Sequence, residues 1–154
     1  MIDVVQFIAL VLTALSMSVH FGTWLTERPL RRTQSGALFI EVHKGRDEVA
    51  ARVMPILGNA AILFVALGAF FARTAPAAFL LSVVALVLVI GDMVVTLKGN
   101  VPINRTVQSW QADAPPPQWS ELRDRWERLH TIRTALIVSG FAFFAASVVF
   151  FDVS

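Results

Sequence analysis

Only three histidines occur in this 154-residue chain: His20, His43 and His130. Histidine is the side chain whose ordinary pKa lies near neutrality, so these are the first candidates for a general base or a metal ligand. His130 stands four residues after Trp126 and three before Arg133, a spacing that puts all three on one helix face. The stretch LKGNVPINRTVQSW, Leu97 to Trp110, adds the amides of Asn100 and Asn104. Asp92, Thr96 and Asn100 recur every four residues, and Ser16, His20, Thr23, Trp24 and Glu27 every three or four. Each set makes one polar stripe on a helix.

The same residues admit other chemistry. His20, His43 and His130, with Glu41 and Asp92, supply enough nitrogen and oxygen ligands for copper, iron or zinc. His20 and His130, on two different helices, can also be read as axial haem ligands. No compact ligand motif supports either reading, and His43 falls where a solvated helix face is expected. Cysteine and tyrosine are absent, which removes disulfides, thiolates and phenols. There is no phosphate-binding loop, dinucleotide fingerprint, zinc-protease motif or nucleophile elbow. The net charge of +2 is too small to suggest nucleic acid.

What must position these groups is a membrane bundle. The chain is 56% hydrophobic and 16% charged, with a mean hydropathy of +0.66. A soluble domain carries about 25% charged residues. Four apolar runs stand out: Val4 to Leu25, Val53 to Phe71, Ala75 to Leu97 and Thr134 to Phe151. Each is close to the ~20 residues a helix needs to cross the hydrocarbon core. Backbone in lipid must satisfy its own hydrogen bonds, so the runs are helices. The expected fold is all-α: one domain over residues 1–154, an integral membrane four-helix bundle. The first run is longer than the apolar core of a signal peptide, and no Lys or Arg precedes it, so it reads as a retained span.

Charge sets the orientation. The segments Thr26 to Arg52 and Lys98 to Arg133 hold twelve of the thirteen basic residues, and only Arg73 lies at the other end. The positive-inside rule puts both segments in the cytoplasm and both termini outside. Within the first, Leu38, Val42, Val49 and Val53 recur at helical spacing, which predicts an extra interfacial helix over Ser35 to Ala51 between spans 1 and 2, running into the second span with Pro55 near the join. In the second, Gly99 and Pro102 read as breakers of the third span. ADAPPPQW reads as a stiff connector, and Ser120 as the N-cap of a helix that runs on through the fourth span. With Asn59 a turn inside the second span, polar residues of all four spans then lie at one depth, and the economical reading is a shared polar pocket at the cytoplasmic end. Singly, each member has a plainer explanation. Asp92 suits an interfacial ion pair with Lys98 or Arg133, and the tryptophans Trp24, Trp110, Trp119 and Trp126 suit an aromatic belt.

The pattern N-x-P-x-N, followed by a tryptophan and then L-H-x-x-R, resembles the small anthrone oxygenase-like membrane proteins. That family is catalogued largely as a domain of unknown function. The matching residues are Asn100, Pro102, Asn104, Trp126, His130 and Arg133. The resemblance extends to the four-span layout. It implies an oxygenase that converts an anthrone, a lipophilic aromatic ketone, to an anthraquinone with O₂. His130 would be the base, Arg133 and Asn104 would stabilise the enolate oxygen, and Asn100, Trp24, Trp126 and Asp92 would hold the planar substrate.

Three readings stay open. One is this oxygenase, with no cofactor required or with a bound metal or haem. A second is a metal or haem redox protein using His20 and His130. The third is a non-catalytic subunit, transport or assembly component whose polar cluster locks helices together. In that case Gly58, Ala60, Ala61 and Gly68 would allow close packing or a homo-oligomer.

Overall fold

The computed structural model describes residues 2–151. Four long helices account for almost all of them: α1, Ile2–Thr33; α2, Gly36–Phe71; α3, Pro76–Gln108; and α4, Trp119–Val149. All four are long and apolar enough to cross a membrane. They pack as neighbours in chain order, and α4 closes the ring against α1. Short turns alternate their direction. Gln34 and Ser35 join α1 to α2, and a 3-10 turn, Ala72–Thr74, leads into α3. At the start of α3, Pro76 occupies the first turn, where its missing N–H costs nothing.

The outer surface is apolar. Phe7 of α1, Ile56 of α2, Leu80 and Val87 of α3 and Val149 of α4 are each more than 60% exposed. A soluble protein does not leave such a girdle in water. The chain is an integral membrane protein.

The helices are longer than the apolar runs. At 1.5 Å per residue α2 reaches about 54 Å, against about 30 Å of hydrocarbon. The expected extra helix between spans 1 and 2 is therefore not a separate element. Residues 36–51 are the first turns of α2 itself, capped by Ser35, whose hydroxyl accepts from the Leu38 N–H at 3.3 Å. Pro55 lies inside α2 without interrupting it. The expected break at Gly99 and Pro102 is likewise absent. The helix widens into a π-turn at Thr96–Asn100 and continues to Gln108. A second π-turn, Thr23–Glu27, stands in α1.

Both π-turns end two residues before a proline, Pro29 and Pro102. A proline ring crowds the carbonyl four residues back, here Leu25 and Lys98, and cannot bond to it. A wider turn takes up the misfit, and the Val101 N–H reaches the Thr96 carbonyl five residues back. The helix survives its breaker. Ser120 does not cap α4, which starts one residue earlier with no side-chain cap on Gln118.

Two apolar clusters fill the bundle. Ala9, Val65, Ala85 and Phe144 form one, and Phe39, Ile40, Ile103 and Val107 the other, at the end where the helices outrun the membrane. The small residues of α2 serve this interior. Gly58 faces Met93, Gly68 faces the Phe144 ring, and Ala61 is fully buried. A Cβ on Gly68 would lie 2.9 Å from that ring, itself fully buried and unable to retreat. Gly68→Ala is expected to lower stability by about 1–3 kcal/mol. Gly22→Ala, with nothing within 4 Å, should be neutral or stabilising. Denaturation of the two variants in mixed micelles measures the difference.

Candidate functional site

Polar side chains from all four helices meet inside the bundle in two layers. The inner layer joins α1, α3 and α4. Arg133 donates from Nε to Asp92 Oδ1 at 2.8 Å, and one of its Nη groups lies 2.7 Å from His20 Nε2. On the other side of the same ring, His20 Nδ1 is 2.8 Å from the Ser16 carbonyl. A carbonyl only accepts, so Nδ1 carries the proton and Nε2 accepts from Arg133. One tautomer of a neutral His20 satisfies both bonds. A guanidinium has five donors, and these bonds use two. Arg133 is thus held from two sides with donors to spare.

His130 is the exception in this layer. It is 4% exposed, and neither ring nitrogen has a hydrogen-bond partner among the described residues. Its ring lies between two others. His20 stacks at 5.8 Å between centroids and Trp126 at 4.9 Å, both within 18° of parallel. Buried polar atoms are nearly always paired, so an imidazole with two free nitrogens needs a reason. Asn100 is similar. It is 1% exposed, its Nδ2 reaches the Trp126 carbonyl at 3.3 Å, and its Oδ1 is unpartnered.

The outer layer centres on Asn104. Its Oδ1 accepts from Trp126 Nε1 at 2.8 Å and lies 3.1 Å from His43 Nε2, while its Nδ2 donates to Asp47. Gln108 Nε2 donates to the second Asp47 oxygen at 3.1 Å. One amide therefore ties α2, α3 and α4 and fixes the indole that stacks on His130. Behind it lies an ion cluster. Arg31 and Glu127, both 4% exposed, are hydrogen-bonded across α1 and α4. Arg31 also bonds Glu27 at 2.9 Å and lies 4.9 Å from the centre of the Trp126 ring. Arg46 pairs with Glu27 from α2.

Of the residues singled out from sequence, Asp92, Asn100, Asn104, Trp126, His130, Arg133 and His20 come together. Asp92 pairs with Arg133, not Lys98. Trp126 is an interior residue, whereas Trp24 stands apart from the stack, donating to Thr131 Oγ1 at 3.2 Å. His43 is 7% exposed, not solvated, and belongs to the outer layer, while Glu41 is exposed. The buried pair Arg31–Glu127 and the partner Asp47 carried no sequence signal. Arg31 and Glu127 are 96 residues apart in the chain.

Among the described residues no three His, Asp or Glu side chains are gathered to hold a metal. The stacked rings of His20 and His130 turn faces, not lone pairs, toward the space between them. Axial haem ligands must aim one nitrogen each at the same iron, and this arrangement does not fit that.

Arg133→Lys tests the anchoring. A lysine can keep the Asp92 pair but has no planar fork to reach His20 as well. The expected loss is about 1.5–3 kcal/mol, the worth of one charge-assisted hydrogen bond. Thermal unfolding in detergent measures it, and Arg133→Ala should cost more, since it leaves Asp92 buried and unpaired.

The fold and the site together define an all-helical, polytopic membrane protein with a buried polar centre shared by its four helices. The chain belongs to the anthrone oxygenase family, whose model matches residues 48–143. That region covers most of α2, all of α3 and most of α4, with Asp92, Asn100, Asn104, Trp126, His130 and Arg133. His20, in α1, lies before it. Neither the curated proteins nor the solved structures contain a match.

Proposed function

We propose that the protein is a membrane oxygenase acting on a lipophilic, anthrone-like aromatic ketone, with His130 as the base. The observation that carries this reading is the buried His130 ring with both nitrogens unpartnered, between two stacked rings and one turn from Arg133. A free lone pair is what proton abstraction requires. Family membership supports the same class of reaction.

The steps balance without a further reductant. The base takes a proton from the ring methylene, which the carbonyl acidifies. The resulting enolate gives its electrons to O₂, which adds at that carbon as a hydroperoxide. Loss of water leaves the second carbonyl, so one oxygen atom stays in the product and one leaves as water. Arg133, positioned by Asp92 and His20, offers its remaining donors to the enolate oxygen. Trp126 offers a flat apolar face, and Asn100 Oδ1 a free acceptor for a substrate hydroxyl. Asn104 acts through Trp126 and is a positioning residue in this reading. The end of the bundle with this centre faces the cytoplasm, a reading supported by the twelve basic residues gathered there.

The test is O₂ uptake by purified protein in lipid with an anthrone, followed alongside quinone formation. One O₂ consumed per quinone formed is the expected result. Uptake no faster than in empty lipid would overturn the reading.

A further inference from the structure

We infer that the protein pairs with a second copy of itself through the outer face of α2, centred on Asn59. Arg52 and Arg73 bracket the apolar run of α2. They are 21 residues apart, about 31 Å along a helix, which matches the thickness of the hydrocarbon core. Asn59 is seven residues in from Arg52, about 10 Å below the surface. Its side chain is not part of the expected shared pocket: it is exposed, on the same face as Ile56 at 74% and Leu63 at 56%. An amide at that depth finds no partner among acyl chains and is too short to reach the headgroups.

A second copy supplies the partner. In a two-fold pair a residue near the axis meets its own twin. An asparagine carries both donors and acceptors, so Asn59 complements Asn59. Like the side chains that join helices within membranes, it gains a hydrogen bond that lipid cannot offer. A second observation points to the same face. A groove of about 420 Å³ runs beside it, between Leu12 and Leu15 of α1 and Ile56, Leu57 and Ala60 of α2. It is a socket of the right character for the apolar side chains of the twin helix. The small residues Gly58, Gly68 and Ala61 do not serve this contact, since they face the bundle's own interior.

The absence of cysteine makes the test direct. Ile56→Cys and Leu63→Cys are introduced singly into the full chain in native membranes and oxidised mildly. A disulfide forms only where Cα atoms come within about 7 Å. Both variants should yield covalent dimer at least about fivefold above Val87→Cys, an equally lipid-facing position on α3 that is 63% exposed. Adding Asn59→Leu should lower that yield about fivefold or more. The change puts an apolar side chain into lipid, so it leaves each bundle folded. Equal yields at all three positions, or yields indifferent to Asn59→Leu, would overturn the proposal and leave the groove to lipid chains. The result does not depend on the oxygenase reading.

Discussion

His130→Ala is expected to lower anthrone-dependent O₂ uptake by about 10²–10⁴, the usual contribution of a positioned general base. His130→Phe should do the same while leaving the melting temperature unchanged or raised. Among the described residues the ring nitrogens have no hydrogen-bond partner, so a phenyl ring of similar shape breaks no bond there and removes two unpaired buried polar atoms. It also keeps the stack between His20 and Trp126. This separates a catalytic role from a helix-locking one. If His130 only locks helices, the phenylalanine variant melts early. If it is the base, that variant is stable and inactive. A variant as active as the parent would sink the assignment.

Arg31→Ala is expected to cost about 3–5 kcal/mol, the largest stability loss among these variants. Arg31 and Glu127 are both 4% exposed. Removing the arginine strands the Glu127 carboxylate, whose remaining cation, Arg28, is 3.9 Å away. It also strips the guanidinium from the Trp126 ring. Replacing both partners by apolar groups, Arg31→Met with Glu127→Leu, should restore most of the loss, because no unpaired charge stays behind. Denaturant titration of the single and double variants measures the coupling. Equal losses in both would mean that packing, not charge, is what Arg31 contributes.

The four spans were legible because hydropathy over about 20 residues is a strong signal. Capping was less legible: the serine that caps a helix is Ser35, not the expected Ser120. The continuity of α3 was not legible. Gly99 and Pro102 are breakers by local rules, and a π-turn that absorbs a proline leaves no mark in composition. The basic stretch before Val53 reads as an extra interfacial helix because its charges belong in water, and its run into the second span was legible. It is the N-terminal end of α2 and not an element of its own.

The site was legible where helical spacing links its members. Trp126, His130 and Arg133 share a face of α4, and Asp92 and Asn100 a face of α3. Spacing could not show which polar groups would be spent on one another. Arg133 is engaged by Asp92 and His20, and His43 by Asn104, while His130 is left free. That distribution depends on how four helices rotate against each other. Arg31 and Glu127 depend on it entirely, since nothing near either residue announces the other.

Helices that outrun the bilayer have a further consequence. No loop marks the membrane surface at the charged end, so nothing in the backbone fixes how deep the bundle sits. Its depth is set by side chains alone, Arg52 and Lys98 at one boundary and Arg73 at the other. Bilayer thickness then becomes a variable of the site. Each helical turn drawn into the membrane or let out of it, about 5.4 Å, carries one polar layer across the line between water and oil.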